Sequence, residues 1–550
     1  MPSISFVFDD LCRLVGKKLS EAELVSLLDK AKAELDSKLS AEITVKYNDT
    51  NQPYLWSVEG LARHMRASLG KEKGAARIAL EKSSLQLSVD RSVESVRPFI
   101  ACFVAKGPAL SEYVLGQLIQ MQEKLADNFG RKREKVAIGL FPAGKVSWPL
   151  AYRAVEPKSV AFVPLGMVKQ LTLRETLERH PKGKEFGHLL ADAKKYPVVF
   201  DAKGHVVTFP PVVNSEESGK LSAGDSEIAC EVTGTDESAV NLVSSIFAFA
   251  LADRGFKIHP VKIRYAKRIV QTPKVEPYDF RFDTAQVGAL LGLELSEGQL
   301  RDLLGRAQYD YQGKGRVKCP AYRGDLMHAV DVVEDVAIMY GYESISPLPL
   351  TSFTVGGLRA GEGVISAVRD LWRGFGYQEV FSPVLSNKQL LYDKMQADDM
   401  GTVEVENVMS STYSCIRSWI VPILMDVLSK NRHVEYPQRL MEEGLVARRE
   451  KDNVWDARQV AAVSAHAQAS FTEMRQHVEG VMRSLGLECS FKEMDEGCTK
   501  SSFIPGRAAF VFVKDACIGF VGEIHPAVLE KFGLQVPVVA CELGLDSLLQ

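Results

Sequence analysis

Asp331, Glu334 and Asp335 occupy positions i, i+3 and i+4 of one helical pattern, so their carboxylates project together, and Asp325 lies just ahead of that helix. Hard oxygen donors crowded in this way repel one another and are stabilised by a divalent cation, which for magnesium is completed by water. The same spacing serves an acidic first turn that complements the helix macrodipole, with Asp325 or Asp331 as a cap, and on spacing alone that is the commoner explanation. Two further stretches are rich in polar groups: Phe209-Pro-Pro-Val-Val-Asn-Ser-Glu-Glu-Ser-Gly-Lys-Leu and Cys230-Glu-Val-Thr-Gly-Thr-Asp. They gather Asn214, Ser215, Glu216, Thr233, Thr235 and Asp236, with Gly234 permitting close backbone approach. By themselves Pro-Pro and Thr-Gly-Thr-Asp read as turn punctuation in which Asn and Asp bond the local backbone. Arg131, Lys132, Arg133 and Lys135 form a basic cluster that is either a solvated helix end or a nucleic-acid patch.

The elements that must position these residues include an internal repeat. The run from Leu14 to Leu28 parallels the run from Leu290 to Leu304 at one constant offset, and each contains Leu-Ser-Glu followed by leucines at helical spacing. Ser20 and Ser296 are therefore expected to cap amphipathic helices. Each copy continues through a β-rich stretch into a loop, Asn51-Gln-Pro-Tyr in the first and Ala321-Tyr-Arg-Gly-Asp in the second, and then a further helix. Between the copies lie strand-like runs at Val160–Pro164, Pro197–Phe200, His205–Phe209 and Glu227–Val232, then a helical pattern from Ala239 to about Ala252. Proline-rich Ile345-Ser-Pro-Leu-Pro-Leu reads as a linker, and a helix is expected over Glu362 to Phe375.

At 550 residues the chain is too long for one core and should divide into three or four domains. Its 46% hydrophobic and 25% charged content is that of a folded globular protein. The formal charge of −3 excludes a chain that coats nucleic acid non-specifically, so any such contact must be local. The nine cysteines form no C-x-x-C pair, nothing at the N-terminus resembles a leader, and the apolar runs are too short to span a bilayer. A reducing, cytoplasmic setting without structural zinc is expected. The ten histidines form no metal pair at helical spacing, and His525 reads as a structural turn residue.

Three segments in order along nearly the whole chain resemble the beta subunit of phenylalanyl-tRNA synthetases of the archaeal and eukaryotic cytosolic type. The first is Cys319-Pro-Ala-Tyr-Arg-Gly-Asp-Leu with Asp331-Val-Val-Glu-Asp-Val-Ala-Ile-Met-Tyr-Gly-Tyr; in that family it belongs to a small winged-helix-like domain whose carboxylates bind magnesium. The matching positions are Asp325, Asp331, Glu334 and Asp335. The second comprises the two polar stretches above, which resemble those lining the family's editing pocket, where tyrosine wrongly attached to the phenylalanine tRNA is hydrolysed. The resemblance makes Asn214, Ser215, Glu216, Thr235 and Asp236 candidate pocket residues. The third comprises Gly374-Phe-Gly-Tyr-Gln-Glu-Val-Phe-Ser-Pro, Ile416-Arg-Ser-Trp-Ile-Val-Pro and Gly519-Phe-Val-Gly-Glu-Ile-His-Pro, similar to the family's catalytically silent module of class II synthetase fold.

The resemblance implies an α/β and α+β multidomain protein. Its expected parts are an N-terminal α+β module over 1–90, an editing domain over 91–272, a winged-helix-like magnesium-binding domain over 273–350 and a silent antiparallel module over 351–550. It implies an alpha subunit that uses ATP to attach phenylalanine, two alpha and two beta chains in the complex, and phenylalanine tRNA as substrate. Met441-Glu-Glu-Gly-Leu-Val stands where a catalytic subunit would carry an arginine-rich strand, in keeping with silence. Two alternatives remain at this level: a structural, tRNA-docking subunit with an inactive editing site, and a free-standing nucleic-acid-binding protein.

Overall fold

The computed structural model describes residues 2–39, 41–495, 497 and 499–546. It divides into two compact units, Met1–Leu348 and Pro349–Gln550, and the break falls inside the proline-rich linker. Among the described residues no helix is long and apolar enough to cross a membrane.

The repeat expected from sequence is a repeat of fold. In the first copy the strands Ser3–Val7, Glu42–Tyr47 and Ala33–Leu39 form an antiparallel sheet in that order; in the second the order Tyr278–Arg281, Arg316–Cys319, Asp310–Gly313 has the same chain topology. Two helices precede the last two strands in each copy, Phe8–Val15 and Glu21–Asp29 in one, Thr284–Leu291 and Glu297–Arg306 in the other. The first of each pair ends on a left-handed glycine, Gly16 (φ 68°) or Gly292 (φ 66°), a conformation that costs an L side chain about 1 kcal/mol or more. The second of each pair starts with a reciprocal capping box, Ser20 with Glu23 and Ser296 with Gln299. Leu24, Leu27 and Leu28, and their counterparts Leu300, Leu303 and Leu304, are buried.

Between the copies stands a ten-stranded sheet. Its order is Val213–Asn214, Val206–Phe209, Tyr196–Phe200, Leu150–Val155, Gln86–Val89, Lys257–Arg264, Phe99–Lys106, Glu227–Gly234, Val136–Pro142, with Ile269–Thr272 paired off Lys257–Arg264. Gln86–Val89 pairs inside this sheet, so the central domain begins before residue 91, where the sequence alone had set its start. The strand Glu227–Gly234 is held on both sides, by Phe99–Lys106 and by Val136–Pro142. Strand alternation sends Ile228, Cys230 and Val232 to one face, where they pack with Val240, Val243 and Phe247 of the helix Glu237–Asp253. Ala229 takes the other face beside Cys102, Val104 and Phe141. Glu231 and Thr233 belong to that second face, where the pattern otherwise demands apolar residues.

The second unit is a seven-stranded, mostly antiparallel sheet in the order Gln378–Glu379, Gln438–Glu450, Asn453–Ala465, Val538–Gly544, Ala516–Ile524, Phe503–Val513, Cys489–Glu493. Both faces are covered. Val460 and Ala462 pack with the helices Glu362–Gly374 and Phe471–Ser484; Ala461, Val463 and Ala465 pack with Val421–Lys430 and Pro526–Phe532. Double coverage explains why Val460-Ala-Ala-Val-Ser-Ala is an almost unbroken apolar run. His525 is the N-cap of Pro526–Phe532, its Nδ1 accepting from the amide of Ala527 at 3.2 Å, which agrees with its reading as a structural residue.

Candidate functional site

A cavity of about 240 Å³ opens beside the edge of the central sheet, lined among others by Gly139, Leu140, Thr208, Pro211, Asn214 and Glu231. It lies below the ~300–1,000 Å³ typical of drug-sized ligands, on the scale of a single amino-acid side chain. Its most unusual group is Glu231, which is 2% exposed. Burial pushes its carboxyl up to about 7, against the opposing pull of a hydrogen bond donated by the Thr208 hydroxyl to Oε2 and of the Arg97 charge. Cross-strand from Glu231 stands Gly139. A Cβ on Gly139 would lie 3.3 Å from both Glu231 Oε2 and Asn214 Oδ1, so the glycine keeps the space over these two oxygens open. Asn214 is oriented by its own amide, which donates to the carbonyls of Leu140 at 2.9 Å and Gly219 at 3.1 Å. Its Oδ1 accepts no hydrogen bond from a described residue.

Behind Glu231 the next residue on the same face is Thr233, held by Arg97. The buried guanidinium donates to Thr233 Oγ1 (3.0 Å), Thr233 O (2.8 Å) and Glu134 O (3.1 Å). These acceptors are neutral, and burial lowers the Arg97 pKa to about 10. Arg133, on the other wall, donates to the carbonyls of Pro211 and Val212 at 3.0 and 2.9 Å and stacks over the ring of Phe186.

Of the five pocket residues suggested by sequence, Asn214 alone lines the cavity. Ser215 is buried in the strand-edge turn, with its amide on the Val207 carbonyl. Glu216 accepts from the Gly166 amide and pairs with Lys220. Thr235 is exposed. Asp236 is the N-cap of the helix Glu237–Asp253, accepting from the Ala239 amide at 3.0 Å and pairing with Lys135 at 3.1 Å; those contacts lower its pKa. Thr-Gly-Thr-Asp therefore carries the end of the strand Glu227–Gly234 into the helix Glu237–Asp253, and the polar side chain that lines the cavity from this strand is Glu231. Glu231 was missed, although one signal was present: a carboxylate between Cys230 and Val232 in an otherwise apolar strand.

The acidic cluster of the second module is arranged differently from the expectation. Arg323 is enclosed with it, donating to both oxygens of Asp325 and, at 2.7 Å, to Asp335. Tyr309 donates its hydroxyl to the same oxygen of Asp335. Burial would raise the Asp325 carboxyl, yet the Arg323 charge outweighs it and holds the pKa low, whereas at Asp335 burial prevails and the pKa rises. Asp331 turns back to accept from the amides of Met327 and His328, both at 2.7 Å, and Glu334 reaches Lys32 at 2.9 Å. Magnesium does not fit this donor set as it stands, because the guanidinium occupies the position a cation would need between Asp325 and Asp335. Among the described residues no three His, Cys, Asp or Glu side chains are placed to hold a metal ion. The first module completes the cluster: Gln52 donates to Asp325 at 3.2 Å, and the rings of Tyr54 and Tyr322 stand 5.2 Å apart.

Residues 280–342 match the tRNA synthetase B5 domain, and residues 346–545 match the phenylalanyl tRNA synthetase beta chain CLM domain. The phenylalanine–tRNA ligase beta subunit of Thermococcus kodakarensis is 40% identical over 576 residues, covering 100% of this chain and 99% of the relative. That of Pyrococcus furiosus is 40% identical with 100% of both chains covered, and that of Archaeoglobus fulgidus is 35% identical over 553 residues. Among solved structures, an N-terminal fragment of the beta subunit from Pyrococcus horikoshii superposes with a TM-score of 0.60 at 39% identity, covering 62% of this chain and all of the fragment. Likeness of 35–40% identity along the whole chain to these relatives, together with the two matched domains, leads to one conclusion: the chain belongs to the family of phenylalanine–tRNA ligase beta subunits.

Proposed function

We propose that this chain is the proofreading partner in a phenylalanine–tRNA ligase, removing tyrosine wrongly attached to the phenylalanine tRNA at the Glu231 cavity. The observation that carries this reading is a buried carboxyl, with a pKa of about 7, facing a small pocket kept open by Gly139. A pocket for phenylalanine cannot strongly reject an analogue that only adds a hydroxyl, so a second sieve is needed. A phenolic hydroxyl donating to Glu231 satisfies the buried carboxylate; a phenyl ring leaves it facing hydrocarbon. A site built to bond a hydroxyl discriminates by as much as ~10⁴–10⁵ against the analogue that lacks it. Asn214 Oδ1, fixed beside the carboxylate, is available to a donor on the same substrate.

The synthetic reaction is assigned to an alpha subunit that uses ATP, in a cytoplasmic complex of two alpha and two beta chains. The second unit supports this in two ways. Arg417, its most deeply buried cation, is neutralised by Glu442 at 2.7 Å and bonded to Ser382, which leaves it no charge to offer a nucleotide in a silent class II-like module. The same unit exposes Phe353, Phe381 and Met409 almost completely, apolar surface that favours a protein partner.

The decisive measurement is deacylation of tyrosyl-tRNA by the complex reconstituted with Glu231→Gln or Asn214→Ala. Glu231→Gln is expected to slow hydrolysis by about 10² or more, a loss of roughly 3 kcal/mol of transition-state stabilisation. Unchanged hydrolysis in both variants overturns the assignment of the cavity.

A further inference from the structure

The charged surface next to the cavity is concentrated in one turn. Gly130-Arg-Lys-Arg-Glu-Lys carries four cations and one anion in a chain whose overall charge is −3. Its backbone is unusual: Arg131, Lys132 and Arg133 have φ of 50°, 50° and 69°, three consecutive L residues in the left-handed region. The turn is nevertheless firmly built. The amides of Arg131, Lys132 and Arg133 return to the carbonyls of Asn128, Asp127 and Ala126. A Cβ on Gly130 would lie 2.4 Å from the Val136 carbonyl oxygen. Arg133 ties the turn to the pocket wall through Pro211 and Val212, and Arg97 ties Glu134 to the strand that carries Glu231.

These ties use Arg133, and Asp236 takes Lys135. Arg131 and Lys132 are exposed and have no ion pair or side-chain hydrogen bond among the described residues. Lys182 and Lys220 add to the same rim, paired with Glu185 and with the half-buried Glu216, and Lys182 also lies over the Phe186 ring. A firmly built turn that presents two unpaired cations immediately before Arg133, which lines the pocket, is suited to a polyanion whose end enters that pocket.

We propose that Arg131 and Lys132 bind the phosphodiester backbone of the single-stranded 3′ end of the RNA, aligning its terminal aminoacyl ester with the Glu231 cavity. The proposal rests on the proofreading reading above. Both side chains contact phosphate rather than base edges, so the turn positions the RNA without reading its sequence.

The test uses the reconstituted complex with Arg131→Asn and Lys132→Asn combined, since asparagine tolerates the left-handed backbone and removes the charge. The probe is an end-labelled RNA hairpin with a short single-stranded 3′ overhang, titrated by fluorescence anisotropy between about 50 and 200 mM salt. Loss of two phosphate contacts should make the slope of log affinity against log salt shallower by roughly 1.4. KM for tyrosyl-tRNA hydrolysis should rise with kcat unchanged, and hydrolysis of tyrosine methyl ester should not move. An unchanged salt slope overturns the proposal, as does an equal loss on a blunt hairpin without the overhang. A wild-type complex that binds the hairpin but leaves tyrosyl-tRNA intact overturns the proofreading reading, whereas the salt slope judges the turn independently of hydrolysis.

Discussion

Replacing Glu231 by Gln should make the first unit more stable at alkaline pH. The folded carboxyl is raised from 4.5 to about 7 by burial. A carboxyl raised in this way contributes stability that is fully present below pH 4.5 and is lost as pH rises through about 7, because the folded state must then bury a charge. The interval of about 2.5 units corresponds to about 3.5 kcal/mol, at ~1.4 kcal/mol per unit. Gln keeps an acceptor for Thr208 and cannot ionise. Wild type and Glu231→Gln should therefore melt together near pH 4.5 and separate progressively up to pH 8, where the variant gains roughly 5 °C in scanning calorimetry. The carboxylate's 2% exposure is what gives the effect its size, since solvent would otherwise screen it. Parallel melting curves at every pH would refute the reasoning, showing that the wild-type carboxylate is satisfied by groups other than Thr208 and Arg97.

Gly139→Ala should impair tyrosyl-tRNA hydrolysis while shifting the melting temperature little, because its methyl group would stand 3.3 Å from both Glu231 and Asn214, in the space a substrate needs; normal kinetics in the variant would place the substrate elsewhere. Asp236→Ala should cost about 1 kcal/mol through loss of the helix cap and leave hydrolysis intact once the protein is folded, to be read from urea melts and a deacylation assay side by side. Arg323→Met should cost ~3–5 kcal/mol by stranding Asp325 and Asp335 in the interior, with urea unfolding as the measure, and magnesium should leave the melting temperature of the wild type unchanged.

Elements governed by local rules were legible in the sequence. Ser20 and Ser296 cap helices in both copies of the repeat, the long helix observed as Glu237–Asp253 was expected from Ala239 to about Ala252, and the proline-rich linker coincides with the break between units. What escaped were side chains whose roles depend on partners distant in sequence. Glu231 gains its character from Gly139, Thr208 and Arg97, and strand periodicity alone tells that it alternates, not what covers it. Asp236 was a pocket candidate only through the family resemblance; the turn reading of Thr-Gly-Thr-Asp agrees with its role as a helix cap. The spacing of Asp331, Glu334 and Asp335 indicated a shared helix face; it held no information about Arg323, which reaches the cluster from the preceding loop. The acidic-turn alternative holds in part, since Asp331 bonds backbone amides at the start of its helix.

The joint between the two small modules has a meaning beyond holding Asp325. The loops that correspond in the repeat are the ones that meet, Gln52 and Tyr54 from one, Tyr322 and Asp325 from the other. Equivalent surfaces meeting in this way are the signature of a two-fold dimer. Here both halves belong to one chain and are joined through the central sheet domain, so the contact between them, one hydrogen bond and a tilted pair of tyrosine rings among it, forms within the molecule rather than between copies. Freed from the need to match itself, each half can diverge: one has become a donor of Gln and Tyr, the other a holder of buried charge. The two repeats of one fold thus meet through their corresponding loops, and in that joint the first supplies Gln and Tyr while the second holds the buried charge.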